Sequence, residues 1–215
     1  RSTPALSSAA SDVYKGQPKE LDKKSLDKVE SLLKIKTPRL ITVSRFDKRK
    51  NHEKILMALR NLKQIYSNIV YICIGYGEEE KNIKDLVKEL DLGSQVMFFK
   101  EISDDLKNAL IAKSNIFVMP SIVHKKSVEG FGIAYIEAGQ YGVASLGGKD
   151  GGASDAIKHN TTGLICDGNE LEDIYSSLSL MLENKKYSEL GKNAKEYSSK
   201  FSWSNIIESY KKILQ

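Results

Sequence analysis

The stretch NIFVMP at 115–120, followed at 129–138 by EGFGIAYIEA, decides how this chain folds. A short apolar run ending in proline has the length and composition of a buried strand. From Ile133 onward, Ala134, Ile136 and Ala138 read as the core-facing side of a mostly buried helix opened by a glycine-containing turn. A buried strand, a rim segment and a buried helix in that order are the unit of a parallel sheet covered on both faces.

The same unit recurs along the chain. Strands are expected at RLITVS (39–44), IVYICI (69–74), QVMFFK (95–100), VASLG (143–147) and GLICD (163–167). Helices are expected near 52–66, 79–90, 104–113, 132–141 and 153–158, and a helical period from Lys19 to Lys36 runs through Leu26, Val29, Leu32 and Leu33. Beyond Cys166 the pattern is all helical, at 169–183, 186–199 and 203–214, with Ser202 placed to cap the last helix. The fold class is therefore α/β, a doubly wound parallel sheet of about six strands with C-terminal helices. Residues 1–18, Ser/Ala-rich, read as a tail or linker without a fold of its own, and 19–215 as one domain.

Composition sets the broad class. At 215 residues, with 40% hydrophobic and 28% charged residues, the chain can bury a full core. A net charge of +5 suits an anionic ligand or a bilayer surface, but no basic run is interleaved with aromatics, so nucleic acid is not an expected partner. Cys73 and Cys166 lie inside apolar runs and read as buried free thiols of a reducing compartment. No apolar run reaches the roughly 20 residues of a membrane span, and the N-terminal stretch has no signal-peptide core. The cytoplasm is the expected location.

In such a sheet, ligands bind outside the carboxyl ends of the strands, where Glu129 to Glu137 also falls. If that segment were helical throughout, its two carboxylates would lie roughly 12 Å apart along the axis. That is about the distance from sugar to ribose in a nucleotide diphosphate sugar, with the amides near Gly132 and Ile133 facing the phosphates. The alternative is an ordinary acidic helix. Arg45 and Lys50 in RFDKRKNHEKIL suit a diphosphate, whereas Lys48 and Arg49 read as a solvated loop. Gly75-Tyr76-Gly77 permits close backbone approach but lacks the spacing of a dinucleotide fingerprint, which disfavours a Rossmann dehydrogenase. The cluster from Gly147 to Gly152, with Gly151 and Gly152 last, is either a sugar or phosphate contact or a flexible turn. No His-Glu-x-x-His, Cys-x-x-Cys, Asp-x-Asp or Gly-x-Ser-x-Gly pattern occurs, so neither a metal clamp nor a nucleophile elbow is expected.

In order and spacing, VSRFDKRKNH, IGYGEEE, NIFVMPS, EGFGIAYIEAGQYG, GGKDGGASDAI, TTGLICDGNELEDI and FSWSNIIESYKKIL resemble the donor-binding C-terminal domain of GT-B glycosyltransferases, specifically glycosyltransferase family 4. The resemblance runs from about Arg39 to Leu214 and implies a Rossmann-like half of a GT-B enzyme. By position it implies that Arg45 and Lys50 hold the departing diphosphate and that Glu129 holds sugar hydroxyls. Phe131, Gly132 and Ile133 would present backbone to sugar and phosphate, and Glu137 would accept from the ribose. Gly75 and the segment from Phe99 to Ile102 would border the base, and Gly151 and Gly152 would complete the donor site. It further implies a UDP-, GDP- or ADP-sugar as substrate, with no cofactor and no metal, and transfer with retention of configuration. An N-terminal acceptor domain or chain would be the partner, with peripheral contact at the inner face of the membrane for members that build envelope polysaccharide. Ser44 and Asn51 stand where the family usually has glycine, Asp155 is the nearest match to a usual glutamate, and the loop IVHKKSV is longer than usual. The resemblance covers only one half of a GT-B enzyme, so sugar transfer by these 215 residues alone is not expected. A non-catalytic nucleotide-binding or interaction module is the alternative from another class.

Overall fold

A computed structural model describes residues 20–202 together with 205, 207 and 211. The expected tail at 1–18 and most of the helix expected at 203–214 lie outside the described residues. At the edge of that last helix the Asn205 amide donates to Ser202 Oγ at 3.4 Å, the contact expected of a cap.

After α1 (Lys23–Leu32) the chain alternates as expected: β1 (Arg39–Val43), α2 (His52–Lys63), β2 (Val70–Ile74), α3 (Glu80–Glu89), β3 (Val96–Phe99), α4 (Asp104–Ala112), β4 (Ile116–Met119), α5 (Ile133–Gln140), β5 (Ala144–Gly148), α6 (Ala153–Ala156) and β6 (Gly163–Cys166). Two further helices, α7 (Leu171–Leu182) and α8 (Lys186–Ser199), follow. Local signals set the helix starts: Asp22 accepts from the Ser25 amide at 2.8 Å, and Ser103 caps α4 ahead of Asp104 and Asp105.

All six strands are parallel, in the order β3-β2-β1-β4-β5-β6. β2 and β4 are buried along their whole length, which is why they read as unbroken apolar runs. Side chains alternate between two cores. Leu40, Tyr71, Cys73, Ile116 and Val118 pack under α2, α3 and α7. Ile41, Ile72, Ile74, Phe117 and Met119 pack under α1, α4, α5 and α6. Each such fully buried aliphatic side chain contributes about 1.5–3 kcal/mol.

This strand order places β1 between β2 and β4. The chain leaves β1 toward α2 on one face and leaves β4 toward α5 on the other. The two exits diverge and open a crevice at the carboxyl ends of β1 and β4, the topological switch point of the sheet.

Candidate functional site

Two loops meet in that crevice. After β1, Asp47 caps a 3-10 turn (Lys48–Lys50), its carboxylate accepting from the Lys50 amide at 3.2 Å. The turn leaves Lys48 exposed and swings Arg49 and Lys50 inward. After β4, Glu129 reaches them. Its Oε2 accepts from Arg49 Nη1 at 2.6 Å and pairs with Lys50 Nζ. Arg49 Nη1 also donates to the Val128 carbonyl at 3.2 Å. Lys50 is only 8% exposed, and burial holds its ammonium below the usual lysine pKa although Glu129 pulls the other way.

Asn51 and His52 hold the loop down. Asn51 stands at φ 62°, the left-handed backbone that favours glycine or asparagine, and it immediately precedes α2. Its Nδ2 donates to the carbonyls of Pro120 at 3.0 Å and Gly168 at 2.7 Å, tying the β1 loop to those after β4 and β6. His52 is 2% exposed, bonded through Nδ1 to Tyr71 Oη at 2.8 Å and through Nε2 to Ser44 Oγ at 3.2 Å. Burial, aided by the Lys50 charge, pushes its pKa down to about 3, so the imidazole is neutral.

One sequence expectation needs correction. Arg49, expected in a solvated loop, is one of the two cations on Glu129, because the phase of the 3-10 turn points it inward. Arg45, beside the buried strand, is itself exposed, and no described residue bonds its side chain. As the glycine-containing turn led one to expect, the Glu129–Glu137 segment is not one helix. Gly132, at φ 75°, starts α5 only at Ile133, so Glu129 sits on a loop while half-buried Glu137 rides the helix about 6 Å along its axis from Ile133.

Gly132 carries no side-chain cap bond, and within the first turn of α5 the Tyr135 amide donates to the Gly132 carbonyl at 2.9 Å. A Cβ on Gly132 would lie 2.5 Å from the Tyr135 ring, whose hydroxyl donates to the Met119 carbonyl at 2.6 Å and anchors the turn to β4. Phe131 is 38% exposed and rests on Phe201 with ring centroids 5.4 Å apart. Gly151 and Gly152 are packing surfaces for the Glu129 loop. The Gly152 amide donates to the Glu129 carbonyl at 3.1 Å, and a Cβ there would lie 2.1 Å from the Gly130 carbonyl.

At the far end of the rim Gly75 approaches Ser44 so closely that a Cβ would lie 1.9 Å from its carbonyl, and its amide donates to Phe99 at 3.0 Å. Ile102 follows, half-buried, after the positive-φ Glu101. The exposed Tyr76 ring carries Lys100 Nζ 5.1 Å from its centroid. From β4 to β3 is three strand spacings, about 14 Å. The predicted residues are therefore spread along one rim, with charge at one end and bare backbone at the other.

The IVHKKSV loop folds as a small hairpin, His124 bridging to Ser127, with Lys125 and Lys126 at positive φ at its tip. Among the described residues no group of three His, Cys, Asp or Glu side chains gathers as a metal site, and no helix is long and apolar enough to cross a membrane. Cys73 and Cys166 are buried and unpaired, and burial pushes the Cys166 thiol up to about 12.

Sequence reasoning missed Arg49, His52 and Tyr135. Asn51 was visible only as the residue standing in a usual glycine position, which is the signal that its backbone is left-handed.

Comparison with known proteins agrees with this architecture. HepE of Anabaena, solved in complex with UDP and glucose, superposes with a TM-score of 0.75 over 90% of this chain and 52% of that one, at 20% identity. The C-terminal domain of LpcC from Francisella tularensis, a glycosyl transferase group 1 family protein, superposes with a TM-score of 0.68 over 86% of this chain and 94% of that one. In sequence, the GDP-mannose-dependent alpha-(1-6)-phosphatidylinositol monomannoside mannosyltransferase of Mycobacterium tuberculosis is 24% identical over 173 residues, 79% of this chain and 45% of the relative. The chain thus spans about half the length of the curated relatives it matches. The family described as "Glycosyl transferases group 1" matches residues 23–197, which takes in all six strands, and the chain belongs to that family.

Proposed function

We propose that this domain is the donor-binding half of a glycosyltransferase that takes a sugar from a nucleotide diphosphate sugar. The observation that carries the reading is the meeting of Arg49 and Lys50 with Glu129 at the switch point, beside the uncapped start of α5. Cations and helix amides at one point suit a diphosphate. The adjacent carboxylate suits sugar hydroxyls, and Glu137, further along α5, suits a ribose. Gly75 and Ile102, at the other end of the rim, suit the edge of a base. Exposed Arg45 supplies a further cation that can close on the phosphates.

In the reaction, the glycosidic carbon–oxygen bond to the diphosphate breaks, one to the acceptor oxygen forms, and the proton of the acceptor hydroxyl passes to the departing phosphate. Arg45, Lys50 and the α5 amides stabilise the negative charge that builds on the departing phosphate oxygen. The donor set supports transfer without a bound metal, since the positive charge comes from side chains and amides. The resemblance to family 4 supports retention of configuration. Acceptor binding falls to the part of the longer relatives that this chain does not match, so these 215 residues alone transfer little or no sugar.

Calorimetric titration with UDP-, GDP- and ADP-sugars tests the reading. One of them binds, and Arg45→Ala and Glu137→Ala each weaken it by at least about tenfold, the loss expected on deleting a charge-assisted hydrogen bond. Absence of binding to all three refutes the proposal.

A further inference from the structure

The two inward cations of the rim already have an anion. Arg49 Nη1 and Lys50 Nζ meet on the same oxygen of Glu129, Oε2, and Ser121 Oγ stands 3.5 Å from that atom. Asp47 adds a second carboxylate, 3.7 Å from Arg49 Nη2. Positive and negative charges therefore cancel within the cluster. The Glu129 and Lys50 side chains are 11% and 10% exposed, so water and salt screen this balance only weakly.

A diphosphate brings several negative charges to a cluster with no net charge of its own. It meets the full attraction of Arg49 and Lys50 only when Glu129 moves off them. A carboxylate released from two cations in a half-buried site needs new donors. Sugar hydroxyls are such donors, and in a sugar nucleotide they arrive on the same molecule as the phosphates. The backbone need not follow, because the Glu129 carbonyl stays bonded to the Gly152 amide and only the side chain has to turn.

We propose that Glu129 is a specificity-determining residue that makes the site favour an intact sugar nucleotide over the bare nucleoside diphosphate, and that Arg49 is a diphosphate-binding residue freed by the exchange. The inference rests on the nucleotide-sugar reading above. A bare nucleoside diphosphate displaces Glu129 without bringing it the hydroxyls of a donor sugar. An intact donor displaces it and satisfies it. After transfer the carboxylate loses its sugar donors and competes again for the cations, which helps the product leave.

Glu129→Gln removes the competing charge and keeps the side-chain shape. The native chain and this variant are titrated by calorimetry with UDP, GDP, inorganic pyrophosphate, UDP-glucose and GDP-mannose. The native chain favours the sugar nucleotide over the matching bare diphosphate. In Glu129→Gln the bare diphosphate and pyrophosphate bind roughly tenfold or more tighter than to the native chain, and the sugar nucleotide binds no tighter. Adding Arg49→Gln removes the gain. The inference is overturned if the native chain prefers the bare diphosphate, a test that needs no variant, or if folded Glu129→Gln binds it no tighter than native. Failure of the native chain and the variant to bind any of the five ligands or an ADP-sugar sinks the nucleotide-sugar reading itself, and this inference with it.

Discussion

Acidification should loosen the cationic loop through His52, and the size of the effect follows from its surroundings. The imidazole is buried between Ser44 and Tyr71, and its pKa lies at about 3 against an ordinary 6.5. The unfolded chain therefore binds a proton between these values that the folded chain refuses. The stability contributed by the neutral ring is present above pH 6.5 and is lost as pH falls toward 3, at about 1.4 kcal/mol per unit. Between pH 8 and pH 5 the loss is about 2 kcal/mol. Asp22, Glu30, Glu80, Asp85 and Asp167 have carboxyl pKa values below their ordinary ones, so that window leaves them mostly ionised. Urea unfolding at the two pH values, for the native chain and for His52→Asn, isolates the contribution. Asparagine keeps a polar side chain but cannot titrate, so the variant starts less stable and loses less on acidification. An equal loss in both proteins, or a native stability unchanged from pH 8 to 5, would refute the reasoning.

Two further outcomes probe the same rim. Asn51→Ala removes both bonds that span the loops and puts alanine at φ 62°, so stability falls by about 2–4 kcal/mol in urea unfolding. Asn51→Gly, which tolerates that backbone, loses less. Gly152→Ala drives a methyl into the Gly130 carbonyl and displaces the loop that carries Glu129. Nucleotide-sugar binding measured by calorimetry is expected to drop well before the fold does, and unchanged binding would show that the loop position does not matter.

Much of the fold was legible because the physics is local and repetitive. Strands buried on both faces must be apolar throughout, so VYICI and IFVM stand out against the amphipathic helices between them. The rim was legible as well, since every residue that follows a strand in a parallel sheet lies at its carboxyl end. The pairing of charges across the rim was not. Lys48, Arg49 and Lys50 are alike in sequence, and only the 3-10 turn capped by Asp47 decides which of them face Glu129. The glycines at 151 and 152 likewise gave no sign of their neighbour, because the backbone they seat against lies some twenty residues earlier in the chain.

By itself, the amino-acid sequence determined the parallel sheet, its approximate strand boundaries and the set of rim residues, since burial on two faces imposes an apolar pattern readable one segment at a time. Tertiary structure alone decided that Arg49 joins Lys50 in holding Glu129, and that His52 is neutral. Each depends on a partner at least eight residues away in the chain, whose distance and shielding from water no local pattern encodes.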